Sequence, residues 1–118
     1  MKQRPIKNQE RILIQHLLEL IQGHFPLPQM VADLDDNGMQ SIRLTSDPQT
    51  TYSHDLVQAK FLDDDNLLVL ITLTESNTNE LFELEFKKVY SNQLINYPAP
   101  AQVKHSIKKI LEPSFKVI

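Results

Sequence analysis

Residues 54–74 read HDLVQAKFLDDDNLLVLITLT, and how they pair decides the fold. Two apolar-rich stretches flank Asp64-Asp65-Asn66. A one-residue slip in strand pairing moves every side chain to the other face, so each loop length can be tested against polarity. A three-residue loop pairs Phe61 with Val69, Ala59 with Ile71 and Val57 with Leu73, and all six are apolar. It places Asn66 in the left-handed backbone region, which Asn tolerates better than most residues. The spacing therefore predicts a β-hairpin with strands at about 54–62 and 67–74.

The same test extends outward. An even loop at Ser76-Asn77-Thr78-Asn79 pairs Leu73 with Phe82, Ile71 with Leu84 and Val69 with Phe86, which predicts a strand at about 81–90. One sheet face is then apolar throughout. The opposite face mixes Leu56, Leu62, Leu68, Leu70, Leu81 and Val89 with Gln58, Lys60, Glu83, Glu85 and Lys87. That is more apolar than a fully solvated face, and a C-terminal helix or a second chain is expected to cover it.

Upstream, DLDDNGMQS at 33–41 begins like a calcium loop, with Asp33, Asp35, Asn37 and Gly38 correctly spaced. Such a loop needs a bidentate carboxylate at its twelfth position. Here that position is Leu44, and the flanks alternate with period two. A hairpin with strands at about 29–35 and 39–45 is predicted instead. A two-residue Asn-Gly turn would pair Leu34 with Ser41 and Asp33 with Ile42, mixing polar and apolar residues on both faces. A three-residue loop, Asp36-Asn37-Gly38 with Gly38 left-handed in a bulge, pairs Ala32 with Ile42 and separates the faces better. It turns Asp33, Asp35, Met39, Ser41 and Arg43 to one mostly polar face. These five are the candidate interaction face, and Gly38 and Asn66 are the structural turn residues.

Residues 8–22 place Leu13, Ile14, Leu17, Leu18 and Ile21 at helical spacing. Lys7 or Asn8 is the expected cap, Asn8 being the better chemical choice, and Gly23 the expected left-handed stop. After Pro-Ala-Pro at 98–100, residues 101–111 set Val103, Ile107, Ile110 and Leu111 on one helical face, which predicts a second helix. The expected fold is α+β, one domain over 1–118, with an N-terminal helix on a meandering antiparallel sheet of about five strands and a C-terminal helix.

The chain has 118 residues, no cysteine, two glycines and a net charge of −3. One core suits that length. Residues 1–32 carry +2, residues 33–85 carry −10, and residues 86–118 carry +5. The acidic middle disfavours a phosphate backbone as partner and suits a basic protein surface. The apolar runs are too short to span a membrane, and the polar N-terminus does not read as a signal peptide. The expectation is a cytoplasmic protein without nucleic-acid or membrane partners.

Little suggests catalysis. Ser53-His54-Asp55 has triad residue types, but adjacent strand residues point to opposite faces. His16, His24, His54 and His105 have no metal-ligand spacing. Two glycines cannot build the common phosphate-binding loops. Glu83 and Glu85 share a strand face, which reads more simply as solvated charge. No catalytic residue, metal or cofactor is expected.

Asp36-Asn37-Gly38-Met39-Gln40-Ser41-Ile42 resembles the D-G-G-M-G-S-I hairpin of a small bacterial domain family of unknown function. Arg4-Pro5-Ile6 followed by Glu10 resembles its R-P-L…E start. Phe61 to Asn66 resembles its F-x-D-x-D-G turn, and Leu81 to Lys88 its L-F-E-L-D-x-W-K strand. The resemblance covers about residues 4–95. Asn37, Gln40 and Asn66 stand where that family has glycine, and Lys87 where it often has tryptophan. If glycines at 37 and 40 let a partner approach closely, that feature is weakened here. The resemblance implies a small α+β fold and no established activity.

The expected function is a non-enzymatic protein-interaction module, with an immunity-like protein that neutralises a basic partner as one form. The alternatives are a small-molecule binder or enzyme using the polar face near Met39 and Ser41, and a structural homodimer.

Overall fold

The computed structural model describes residues 2–34, 38–90 and 93–105. Strand β1 (Gln3–Pro5) leads into helix α1 (Asn8–Leu20), followed by β2 (Met30–Asp33), β3 (Ile42–Arg43), β4 (Tyr52–Leu62), β5 (Leu68–Ser76) and β6 (Leu81–Lys88). A 3-10 turn (Pro100–Gln102) precedes β7 (Lys104–His105). The described residues form one sheet in the order β1-β2-β3-β6-β5-β4-β7, with every neighbouring pair antiparallel. The α+β class is as expected, but the sheet has seven strands and is no simple meander: β3 pairs with β6, so the chain crosses two strands to reach β4.

The β4–β5 hairpin has the predicted register, with Val57 opposite Leu73, Ala59 opposite Ile71 and Phe61 opposite Val69. Its loop is Asp64-Asp65-Asn66, closed by the Asp63 N–H donating to the Leu67 carbonyl at 3.0 Å. Asn66 is left-handed, at φ 65°.

The other two registers differ from expectation. In the β5–β6 ladder Leu73 faces Leu84 and Ile71 faces Phe86, two residues from the predicted pairing. The loop has three residues, since the Ser76 N–H donates to the Glu80 carbonyl at 2.8 Å. From Glu75 to Leu73 the ladder advances two residues on β5 and three on β6, from Leu81 to Leu84. That extra residue is a β-bulge, and Thr74 spans it: its hydroxyl accepts the Glu83 N–H at 3.0 Å and donates to the Glu83 carbonyl at 3.3 Å. An odd loop plus a bulge preserves parity, so Leu84 and Phe86 keep the predicted core face. Phe82 is buried but lies outside the main core cluster.

The first hairpin takes the register that sequence polarity disfavours. Ala32 faces Arg43, Asp33 faces Ile42, and the Leu34 N–H donates to the Ser41 carbonyl at 3.0 Å. Among the described residues the strands predicted at 29–35 and 39–45 are four and two residues long, and position 35 lies outside the described residues. Gly38 is left-handed at φ 85°, as expected, and so is Gln40 at φ 69°. The polarity rule fails because Ser41 is a buried polar residue with its own partner: its hydroxyl accepts the Phe86 N–H at 2.9 Å.

Helix α1 buries Leu13, Ile14, Leu17 and Leu18 against the apolar sheet face. Lys7, not Asn8, is the N-cap, and the Glu10 carboxylate accepts the Lys7 N–H at 2.8 Å. The helix ends at Leu20 with Gln22, not Gly23, in the left-handed position, at φ 54°. The Gly23 N–H donates to the Leu18 carbonyl at 2.9 Å and the Gln22 N–H to the Glu19 carbonyl at 3.2 Å, the paired bonds of a Schellman stop. A Cβ on Gly23 would lie 3.3 Å from both Leu18 and Ile21 side chains, so the glycine serves close packing.

The predicted helix at 101–111 is not formed over 101–105, and 106–111 lie outside the described residues. Pro100 starts a 3-10 turn, Val103 is extended, and β7 joins the β4 edge, with Lys104 opposite Lys60 and His105 opposite Ala59. Residues 93–103 lie on the α1 side of the sheet: Leu94 and Val103 join the core, and the Tyr97 ring tilts against Phe86 at 5.3 Å. The expected cover for the second sheet face is thus on the first. Among the described residues nothing covers the second.

Candidate functional site

The four described residues of the predicted interaction face do not share one face. Asp33 is exposed and accepts two bonds from the Arg4 guanidinium, at 2.7 and 3.0 Å. Asp35 lies outside the described residues. Met39 is 6% exposed and belongs to the core cluster. Ser41 is buried on Phe86. Arg43 donates to Glu83 at 2.7 Å and lies over the Phe82 ring at 4.4 Å. Among the described four, only Asp33 and Arg43 carry a charge, and each is already paired.

Two charged clusters emerge from the packing. In the first, Arg4 bridges Asp33 on β2 and the buried Glu10 on α1, at 2.8 Å. Its bonds to Glu10 and then Asp33 push the guanidinium further toward permanent charge, and Arg4 holds the Asp33 carboxyl below its usual range. The Tyr97 hydroxyl is pushed up by burial and then by the Glu10 charge.

The second cluster centres on Asp63 and Lys88, whose side chains are fully buried and 2.9 Å apart. Asp63 also accepts backbone N–H groups from Asp64, Ile95 and Asn96, at 2.8, 2.8 and 3.1 Å. Lys88 also reaches Asp65 at 2.9 Å and the Gln93 carbonyl at 3.0 Å. Burial alone would raise the Asp63 pKa. The Ile95 N–H, Lys88 and the other amides outweigh it and bring it down to about 2. Burial likewise opposes the Lys88 charge, and the Asp65 and Asp63 bonds more than restore it. The cluster ties the β4–β5 turn and the end of β6 to residues 93–96, the start of a strap that runs to 103. Among the described residues, both the Asp63 and the Lys88 side chain are closed to solvent and fully engaged with partners. In sequence Asp63 reads as a turn residue only. The signal lay at Lys88, which follows Leu84 and Phe86 at core parity, where a charge demands a buried partner.

The open sheet face is the remaining candidate. Its rows follow from the registers: Gln58, Thr72 and Glu85; then Lys104, Lys60, Leu70 and Lys87; then Leu62 and Leu68, with Val89 bonded to the Leu68 carbonyl. Leu62 is 57% and Val89 36% exposed. Ser41, Gln58, Leu70, Thr72, Glu85 and Lys87 border a shallow concavity of about 400 Å³. The Glu85 carboxyl, on an exposed residue, is pushed up to about 7, by partial desolvation first and then by Glu83 and Asp55. Negative charge therefore gathers at one end of the face. Much of the acidic middle seen in sequence is quenched internally, since Asp33, Asp63, Asp65 and Glu83 all hold cations. Among the described residues no group of three His, Asp or Glu side chains could hold a metal ion, and no helix is long and apolar enough to cross a membrane.

A family model described as a domain of unknown function (DUF6984) matches residues 3–98. That span contains β1 to β6, α1, both charged clusters and most of the open face. No curated protein and no solved structure matches the chain.

Proposed function

The chain belongs to the DUF6984 family, a domain of unknown function, and from that premise we propose that it is a non-enzymatic protein-interaction module working through its open sheet face. An immunity-like protein that neutralises a basic partner is one form of such a module. The supporting observation is the clustering of Asp55, Glu83 and Glu85 at one end of that face: desolvation first, and then Glu83 and Asp55, push the Glu85 carboxyl up to about 7. A cation delivered by a partner would relieve that repulsion, and steering by it is strongest at low salt. The test is capture of a basic protein by the immobilised full chain at low ionic strength, alongside a Glu85→Lys variant. Retention by the wild type and loss in the variant is the expected result. No stable partner at low salt, or equal retention by both, refutes the proposal.

One observation favours a second reading, a small-molecule binder or enzyme on the same face. Ser41, Gln58, Thr72 and Glu85 border one concavity, with a carboxyl that titrates near neutrality. A compound that raises the melting midpoint of the wild type and not of Glu85→Gln would favour it.

A further inference from the structure

The open face is not uniformly acidic, and its polarity runs along the strands. Glu85 and Thr72 form one row; Lys60, Leu70 and Lys87 form the next; Leu62 and Leu68 form the third. Successive rows are two residues apart, so the first and third are separated by about 13 Å. Lys104 stands directly opposite Lys60. A like-charge pair across strands is unfavourable in isolation, and an incoming carboxylate between the two ammonium groups would reverse the sign of that interaction.

A second copy of the chain fits this pattern poorly. A two-fold axis parallel to the strands, through Leu70, would set Lys60 on Lys87. An axis across the strands would lay the leucine end on the acidic end. Both arrangements bury mismatched groups, and an isologous interface must be self-complementary.

We propose that the open face docks an amphipathic helical segment of another protein, in one direction only. Its apolar side chains lie on Leu62 and Leu70, its carboxylates flank them beside Lys60 and Lys87, and a basic side chain further along reaches Glu85. Thirteen ångströms of helix is about nine residues, which sets the spacing between the apolar anchor and the basic group. The inference rests on the reading that this face meets a partner's basic group, and it adds the apolar anchor, the acidic flanks and the direction.

The probe is a synthetic helical peptide of about 18 residues, with two leucines one turn apart, glutamates beside them and a lysine about nine residues on. A control peptide has the glutamates and lysine interchanged. Each is titrated at low salt into the full chain with labelled methyl groups. The expected result is a set of shifts centred on Leu62, Leu68 and Leu70, with at least tenfold weaker binding of the control. Leu62→Asp and Lys87→Glu, both at exposed positions, should each abolish the preference. Unmoved leucine methyls, or equal binding of both peptides, overturns the inference. So does a concentration-dependent dimer that Leu62→Asp dissolves, which gives the face to a second copy. Overhauser contacts from residues 106–118 to the same methyls give it to the chain's own C-terminus and overturn the inference equally. If Glu85→Lys abolishes capture of a basic protein while Leu62→Asp leaves it intact, the interaction reading stands and the docking inference falls.

Discussion

Lys88 carries its charge at a strand position where alternation otherwise places Leu84 and Phe86. Removing one partner of a buried pair leaves the other uncompensated. Lys88→Met is expected to destabilise the fold by about 3 kcal/mol, read as a lower urea midpoint at unchanged slope; an unchanged midpoint would show that the pair contributes nothing. The pH dependence has a definite sign. Asp63 is depressed from 3.8 to about 2 in the folded chain, so the unfolded state binds more protons in that window. The Asp63 contribution is full above the unfolded value and is lost as pH falls through the folded one. Glu85 acts oppositely. Its carboxyl is raised from 4.5 to about 7, so the folded state holds the extra proton and stability declines as pH rises across that interval. Glu85→Gln should therefore unfold at a higher midpoint than wild type at pH 8, with the difference vanishing near pH 4. A constant difference across that range would refute the assignment.

At the scale of elements, several ends close on residues that adopt left-handed backbone at a penalty. Gln22 ends α1, Gln40 precedes β3 and Asn66 ends the β4–β5 turn, all with positive φ. Positive φ at positions 40 and 66 is by itself sufficient reason for a glycine to be favoured there. Gln22→Gly and Gln40→Gly should each raise stability by about 0.5–1 kcal/mol, measured by thermal melting. A loss in both would mean that the side chains make compensating contacts. Gly38→Val should lower stability by about 1–2 kcal/mol, because φ 85° suits a β-branched side chain badly. The β4–β5 hairpin was legible in the sequence because its faces separate cleanly and its loop residues match their conformations. The first hairpin was not, because a satisfied Ser41 hydroxyl lets a polar residue occupy the interior. The β5–β6 register was legible in face and wrong by two residues, since a bulge held by Thr74 cannot be seen in a polarity pattern. At 101–105, apolar spacing suggests an α-helix, but Pro100 starts only a 3-10 turn, and the open β4 edge takes Lys104 and His105 as extended chain. The candidate face was the least legible part: it depends on which strands lie side by side, and β3 against β6 is a long-range choice.

Across the whole molecule, two sides of one sheet are finished differently. The α1 side is closed by the helix and by the strap at 93–103, which Asp63 pins through the Ile95 and Asn96 amides and Lys88 through the Gln93 carbonyl. The other side bears its leucines, lysines and carboxylates without a second layer among the described residues. This asymmetry makes the strap the weaker part of the closed side, because its described anchors to the sheet are a few polar bonds and the side chains of Leu94, Tyr97 and Val103. Local opening of such a segment requires less free energy than global unfolding. Asp63→Asn removes the charge and leaves Lys88 paired with Asp65, so the sheet itself should persist. Amide hydrogen exchange then separates the strap from the strands. Ile95 and Asn96 are expected to exchange at least tenfold faster in the variant, while Val69, Ile71 and Leu73 at the centre of β5 keep their protection relative to global stability. If the two strap amides remain as slow as those of β5, the strap is held by its apolar contacts, and the Asp63–Lys88 cluster acts on the β4–β5 turn alone.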